Sequence, residues 1–273
     1  MVASRWDNYS WGMRGSSMSV QSTHRLPSGY GLFARYAYPP NELGYCGPTG
    51  STELLHEPAE LGTHAREFDG AWPYLDAIAR AAGSDPLAPD VVRGYWVGGP
   101  LLDRVDPVAL LAELQGAFKG QVTGLLDDVH GAGSALAHHS FHVFVVYPWV
   151  RFLERDPQTA LRVLQNCRIR WGTVTAIDGE HVLLDSCPLV VDRGDIRLGA
   201  AVTERTRWSR DGSSLTAPPA PGDTVSAHWD WVCDTLTPAE GAALAEATRT
   251  TLHLVNTIRS GVGRQRESKG GRQ

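Results

Sequence analysis

Three closely spaced histidines, His138, His139 and His142, form the densest group of potential metal ligands in the sequence. On a helix, His142 lies one turn from both His138 and His139, so two imidazoles could face one metal ion. On a strand, which the β-branched run 143–150 also permits, His138 and His142 share a face but stand farther apart. The carboxylate or cysteine that would complete a site is not nearby. Histidines packed in a core and hydrogen-bonded to the backbone are the other interpretation.

A second candidate is Cys46, which follows the turn-forming run Pro39-Pro40-Asn41 and lies within Gly44-Tyr45-Cys46-Gly47-Pro48. The glycines and prolines predict a tight loop whose backbone can approach another group closely. Such a loop could bring the thiol against Cys167 or against the histidines. A structural loop with a buried cysteine is the alternative.

The cysteine pattern excludes some classes of protein and leaves each thiol to be judged singly. Four cysteines in 273 residues are too few and too widely spread for a disulfide scaffold, and no Cys-x-x-Cys pair suggests a zinc site. We therefore expect free thiols, with Cys187 and Cys233 structural.

Charge and motifs exclude further functions. The net charge of −5 provides no positive surface for phosphate backbones, so we expect no nucleic-acid partner. No uninterrupted apolar run is long enough for a membrane helix and no signal sequence is recognisable, which predicts a cytoplasmic protein without a membrane partner. Phosphate-binding loops, dinucleotide fingerprints and the Gly-x-Ser-x-Gly elbow are also missing from the sequence.

Hydrophobic periodicity divides the chain into regions that must position these residues. Apolar residues recur at helical spacing from 51 to about 165, with Asp106-Pro107 and Asp156-Pro157 as helix starts. After Cys167 the period changes toward two, in short β-branched runs broken by turns. Thr237-Pro238-Ala239-Glu240 then has the pattern of a capping box before a closing helix.

These patterns predict an α+β protein. We expect a disordered leader at 1–30, a mainly helical domain at 31–165, a small OB-like β-barrel with a C-terminal helix at 166–258, and a disordered tail at 259–273.

Two motifs in the barrel region resemble a known family. The run Cys167-Arg168-Ile169-Arg170-Trp171-Gly172-Thr173-Val174 looks like Cys-x-x-x-Pro-Gly-x-Val, and Gly222-Asp223-Thr224-Val225-Ser226-Ala227-His228 looks like Gly-Asp-x-Val-x-Val-His. Both are typical of the hydrogenase formation chaperones HypC, HybG and HupF. The resemblance covers about a third of the chain. The segment from Tyr38 to Pro48 resembles part of an uncharacterised bacterial domain family without an assigned activity.

The resemblance implies an accessory chaperone of nickel-iron hydrogenase maturation rather than an enzyme. Its partners would be the hydrogenase large-subunit precursor or other maturation proteins. It would hold no tightly bound cofactor and would carry, transiently, iron with cyanide and carbon monoxide ligands. Cys167 and His228 occupy the positions that handle this fragment, and a soft thiolate with an imidazole suits low-spin iron.

The sequence departs from the family pattern at several positions. Cys167 lies inside the chain, whereas the family's cysteine is normally the first residue and has a free amine beside it. Trp171 replaces the family's proline, and Trp229 and Trp231 fall in a segment where the family has small residues. We therefore expect an altered partner surface at Trp171, Trp229 and Trp231.

Two other functions stay open. The first is a metal-dependent enzyme whose site, at the junction of the two domains, is built from Cys46, the three histidines and Cys167. The second is an interaction module in which Trp229 and Trp231 form an exposed apolar patch.

Overall fold

The computed structural model describes residues 29–48, 65–130 and 135–270, with side chains as far as residue 261. The predicted leader at 1–30 lies almost wholly outside the described residues. Among the described helices, none is long and apolar enough to cross a membrane.

In the described ranges before residue 168 the regular elements are all helices, and one more helix follows the strands. Single turns of 3-10 helix, Pro100–Arg104, Leu126–Asp128 and Pro148–Phe152, and a π-helical turn, His142–Val146, connect them. The α-helices are α1 Gly29–Glu42, α2 Trp72–Ala82, α3 Pro89–Trp96, α4 Pro107–Ala117, α5 His139–Phe141, α6 Pro157–Cys167 and α7 Pro238–Gly270.

The predicted helix starts are confirmed because the capping side chains bond to the free amides of the first turn. The Asp106 carboxylate accepts from Val108 N at 2.9 Å, and that of Asp156 accepts from Thr159 N at 3.1 Å. At α7 the Thr237 hydroxyl accepts from Glu240 N at 3.3 Å, and the Glu240 carboxylate accepts from Thr237 N at 2.8 Å. This reciprocal pair is a capping box.

The predicted turn at Pro39-Pro40-Asn41 is wrong. Helix α1 runs through both prolines and ends at Glu42. A proline inside a helix costs about 3 kcal/mol, and here burial of one whole face of α1, including Leu32, Phe33 and Tyr36, offsets that cost. Tertiary packing has overridden a local signal.

The strands follow α6, and five of them form a closed barrel in the order β1-β2-β5-β9-β8. Neighbours are antiparallel except β5 and β9, which are parallel. The hairpins β3–β4 and β6–β7 stand apart from it. The strands are β1 Arg170–Asp178, β2 His181–Ser186, β3 Leu189–Asp192, β4 Asp195–Leu198, β5 Val202–Arg207, β6 Ser209–Arg210, β7 Ser213–Ser214, β8 Thr224–His228 and β9 Trp231–Thr235.

The α+β class is therefore confirmed, with helices first, then strands, then a helix. The predicted boundaries differ from the structure at both ends of the barrel region. Position 166 falls inside α6, whose last residue is Cys167, and α7 continues beyond Ile258 to Gly270 instead of giving way to a disordered tail. Arginine, glutamine, glutamate and lysine in 264–269 are good helix formers, which explains the extension of α7.

One continuous apolar core joins the helices to the outside of the barrel, whereas a smaller cluster fills the barrel itself. The contact between α1 and the strands is also polar. Asp234 on β9 pairs with Arg35 at 3.1 Å and with Arg93 at 3.2 Å, and the Tyr36 hydroxyl lies 2.8 Å from the Ser226 hydroxyl. These contacts fix the helices against β8 and β9, where the candidate site lies.

Candidate functional site

A cavity of about 410 Å³ lies between the helical region and the barrel. This volume is within the range of about 300 to 1,000 Å³ that is typical of small-molecule sites. Aromatic residues line much of its wall. The candidate ligand residues that also line it are Cys46, His139, His142, Cys167 and His228. The fold therefore brings residues from both regions of the chain to one place.

Cys167 and His228 meet in this cavity although they belong to different elements. Cys167 is the last residue of α6, and His228 is the last residue of β8. The next residue, Trp229, donates its amide hydrogen to the carbonyl of Asn166 at 3.0 Å, which ties the end of β8 to the end of α6. The expected proximity of Cys167 and His228 thus follows from a direct backbone contact between their neighbours.

The His228 ring has a defined tautomer. Its Nδ1 lies 2.7 Å from the carbonyl of Tyr36, which can only accept, so Nδ1 carries the proton. Burial lowers the pKa of His228 to about 4, against the opposing effect of the Tyr36 and Cys167 carbonyls, so the ring is neutral at pH 7. In this neutral tautomer the ring lone pair is on Nε2. A histidine that ligates a metal usually donates its other ring hydrogen in this way.

Both ring nitrogens of His139 are hydrogen-bonded within the protein. Its Nε2 donates to the carbonyl of Cys167 at 2.9 Å, so Nδ1 of the neutral ring must accept, and the Tyr95 hydroxyl donates to it at 3.0 Å. Burial, and then the neighbouring His228 and His142, keep the pKa of His139 well below its ordinary value. With both nitrogens bonded, His139 cannot ligate a metal. It instead holds the end of α6 in place.

His138 does not line the cavity. It caps the one-turn helix α5, where its Nδ1 accepts from Ser140 N at 3.0 Å. Burial lowers its pKa to about 3. The interpretation of His138 as a packed core histidine is therefore the correct one, because its ring is used in local capping.

His142 begins the π-helical turn and lies on the cavity wall, and such turns are frequent at functional sites. Its ring centroid is 6.3 Å from that of His139, and burial lowers its pKa to about 4. A Cβ at Gly70 would stand 2.8 Å from Nε2 of His142, so a larger residue there would require the His142 ring to move. Of the three clustered histidines, His139 and His142 line the cavity, and Nδ1 of His142 is buried without a hydrogen-bond partner.

Cys46 reaches the cavity on a loop whose shape is specified locally. The Asn41 side-chain amide donates to the carbonyls of Cys46 and Pro48, each at 2.7 Å. Gly47 has φ +81, and a Cβ there would lie 2.3 Å from the Phe68 ring. Burial raises the pKa of Cys46 to about 11, so its thiol is protonated at pH 7. The predicted tight loop is correct for residues 44–48.

The comparison with known proteins matches residues 25–261 to a family of unknown function, DUF6390. The chain belongs to this family. No curated protein and no solved structure matches it. The family model extends through both the helical region and the barrel, so the DUF6390 family comprises the two together.

Two of the three tryptophans expected at a partner surface are buried in this DUF6390 protein. Trp229 is 8% exposed and packs on Tyr45, and Trp231 is 2% exposed and packs on Tyr38 of α1. Trp229 lines the cavity beneath Tyr45, with ring centroids 4.2 Å apart. Trp171 is half-buried, with the Arg168 guanidinium 5.7 Å from its ring centroid. An exposed patch of Trp229 and Trp231 is excluded by their burial.

Sequence analysis missed the aromatic residues that complete the cavity. Tyr95 orients His139, Trp96 stacks on Tyr36 with ring centroids 5.4 Å apart, and Phe118 and Tyr147 flank His142. In sequence these residues follow helical apolar spacing, which is indistinguishable from ordinary core packing. No local signal could have separated them from the core.

The described part of the chain contains no group of three or more His, Cys, Asp or Glu side chains arranged to hold a metal ion. The predicted helical partners of His142 at one metal ion are used elsewhere, because both ring nitrogens of His139 are hydrogen-bonded and His138 does not line the cavity. The remaining donors line the cavity without converging on one metal position, namely Cys46, His142, Cys167 and His228.

Proposed function

We propose that this DUF6390 protein is a cytoplasmic accessory protein of nickel-iron hydrogenase maturation, which binds an iron fragment in the cavity between its two regions. The single observation that carries the proposal is that Cys167 and His228, the residues of the two family-like motifs, line the same cavity. Its partners would be the hydrogenase large-subunit precursor or other maturation proteins.

The donor set suits a cargo that arrives with ligands of its own. Burial, and then the nearby Cys46, raise the pKa of Cys167 well above its ordinary value, so the thiol stays protonated until a metal displaces the proton. A neutral imidazole at His228 offers a second donor. Two or three protein donors are too few for a bare ion but sufficient for iron that already carries small ligands.

The barrel topology also supports the proposal. Renumbered in chain order, the five strands of the closed barrel read 1-2-3-5-4, so the last two exchange places. A five-stranded Greek-key barrel of this kind is OB-like. Such a barrel is the fold that the resemblance to hydrogenase formation chaperones implies.

The test is to purify the protein from a host that is making nickel-iron hydrogenase and to record its partners, its iron content and its infrared spectrum. We expect hydrogenase precursor or maturation proteins to co-purify, together with bands of metal-bound cyanide and carbon monoxide. Cys167→Ala should remove the iron and the bands. Cys187→Ala is the matched control, because Cys187 is a free thiol that does not line the cavity.

Co-purification with no hydrogenase component, or iron content unchanged in Cys167→Ala, would contradict the proposal. The second candidate is a metal-dependent enzyme at the same place. It is favoured by Cys46 and His142, which add donors from the helical region to the cavity. An enzyme should retain stoichiometric metal after purification from any host, whereas a carrier should be empty outside a hydrogenase-producing one.

A further inference from the structure

We infer that Cys46 and Cys167 act as one dithiol, and that this pair, rather than Cys167 alone, holds the metal of the cargo. The identity of the cargo rests on the proposed function. The dithiol itself rests only on the placement of the two cysteines, which different elements deliver to one cavity.

The two thiols share an environment. Both line the cavity, and neither is in a disulfide. Each is within electrostatic reach of the other, since the negative charge of an ionised Cys46 adds to burial in raising the pKa of Cys167. Tyr147 also lines the cavity, and its pKa is raised to about 12 by burial and then by the charges of ionised Cys46 and Cys167. The three groups therefore lie together in the cavity.

The Cys46 loop is built to hold its residue in place. Asn41, itself 7% exposed, fixes the Cys46 and Pro48 carbonyls, and Gly47 packs directly on the Phe68 ring. On the other side, His139 fixes the carbonyl of Cys167 at 2.9 Å. The backbone carbonyl of each cysteine is thus held by a hydrogen bond from a buried side chain, which restrains both sulfurs as a bidentate site requires.

The charge of the cavity favours a metal over an anion or a reactive thiolate. Among the described residues that line it, none is lysine or arginine, and Glu67 and Asp69 are present. Without a neighbouring cation, neither cysteine is activated as a nucleophile. A metal would instead displace both thiol protons and be bound by two thiolates.

A trivalent arsenical tests the pair directly. Phenylarsine oxide reacts with two neighbouring thiols: each sulfur forms a bond to arsenic, and the arsenical oxygen leaves with both thiol protons as one water. No oxidation is involved. One equivalent added to the folded protein should mask two of the four cysteines, counted after removal of excess reagent and denaturation. Mass spectrometry should locate the arsenic bridge between the peptides of Cys46 and Cys167.

Cys46→Ser and Cys167→Ser should each retain the arsenical at least 10-fold more weakly than the unmodified protein, and Cys187→Ser should retain it unchanged. Near-ultraviolet circular dichroism checks that each variant is folded. If a variant fails to fold, the location of the arsenic bridge in the unsubstituted protein still decides the test. A bridge to another cysteine, or full retention by Cys46→Ser, would overturn the inference.

Iron content after expression in the hydrogenase-producing host separates this inference from the proposed function. Loss of iron from Cys46→Ala to the same extent as from Cys167→Ala supports both. If iron and partners are retained by Cys46→Ala but lost from Cys167→Ala, the dithiol is wrong and the function stands. If the arsenical bridges the pair but no hydrogenase partner or iron is found, the function is wrong and the dithiol stands.

Discussion

The interior of the barrel and the cavity beside it contain opposite kinds of residue. The barrel interior is filled by apolar side chains without an ionisable group, namely Val174, Val182, Leu184, Val225, Ala227 and Val232. The cavity wall carries thiols and imidazoles that burial keeps uncharged. The barrel interior therefore provides packing, and the chemistry lies where the helices meet the strands.

This difference shows why the helical region belongs to the site. Of the candidate donors, His228 is on the barrel and Cys167 immediately precedes it, whereas Cys46 and His142 come from the helical region. The contacts that orient His228 and Cys167 also come from that region, through the Tyr36 carbonyl and His139. An isolated barrel would lose these contacts.

The largest expected difference between the cavity and the barrel interior is the effect of pH on stability, because only the cavity contains ionisable groups. His142 and His228 have pKa values lowered by burial to about 4, whereas unfolded histidine titrates near 6.5. The unfolded state therefore binds more protons as the pH falls from about 6.5 to 4, and each residue should cost on the order of 3 kcal/mol of stability over that range. Above pH 7 the loss disappears. Denaturant titrations followed by tryptophan fluorescence from pH 7.5 to 4.5 would measure it.

A matched pair of variants sharpens the pH experiment. His142→Phe should flatten the dependence by about one proton, and His253→Gln, on the exposed face of α7, is the control for replacing a histidine outside the cavity. Stability that is constant between pH 7 and 4.5 would contradict the neutral, buried state of the cavity histidines.

Truncation inside the barrel should affect stability without affecting the site. Leu184 is fully buried in the small apolar cluster, so Leu184→Ala should lower the free energy of unfolding by about 2–5 kcal/mol. Capture of phenylarsine oxide by the folded protein should be unchanged. Loss of capture by folded Leu184→Ala would show that the barrel interior and the cavity are coupled.

Substitution of His139 should affect both stability and the site. His139→Phe removes the hydrogen bond to the Cys167 carbonyl and one of two acceptors of the Tyr95 hydroxyl, the other being the Gly70 carbonyl, at a cost of about 1–3 kcal/mol. Because His139 positions the end of α6, arsenical capture should also weaken. His138→Asn is the control, since asparagine can cap α5 and His138 does not line the cavity. Equal capture by His139→Phe and His138→Asn would exclude a positioning role.

The smallest effect is expected at the contact between α1 and β8. Tyr36→Phe removes a buried hydrogen bond to the Ser226 hydroxyl, worth about 1 kcal/mol, and leaves the Tyr36 carbonyl that fixes His228. Thermal unfolding should therefore shift slightly downward with no change in arsenical capture. A larger loss of thermal stability together with impaired capture would mean that the hydrogen bond between Tyr36 and Ser226 positions His228.

The sequence alone determined the features that depend on neighbouring residues. Helix starts at Asp106, Asp156 and Thr237 were predictable because capping is a contact within one turn. The change from helices to strands after Cys167 followed from hydrophobic periodicity, and the loop at Cys46 from its glycines and proline. The order of elements needed no long-range information.

Only the tertiary structure decided which residues form the site. It gave three neighbouring histidines different roles. His138 caps a helix, His139 holds the Cys167 carbonyl, and His142 lines the cavity. The tertiary structure also buried Trp229 and Trp231 and placed Cys46 with Cys167. These outcomes depend on packing between segments far apart in the chain, and periodicity records that a side chain is buried but not what it is buried against.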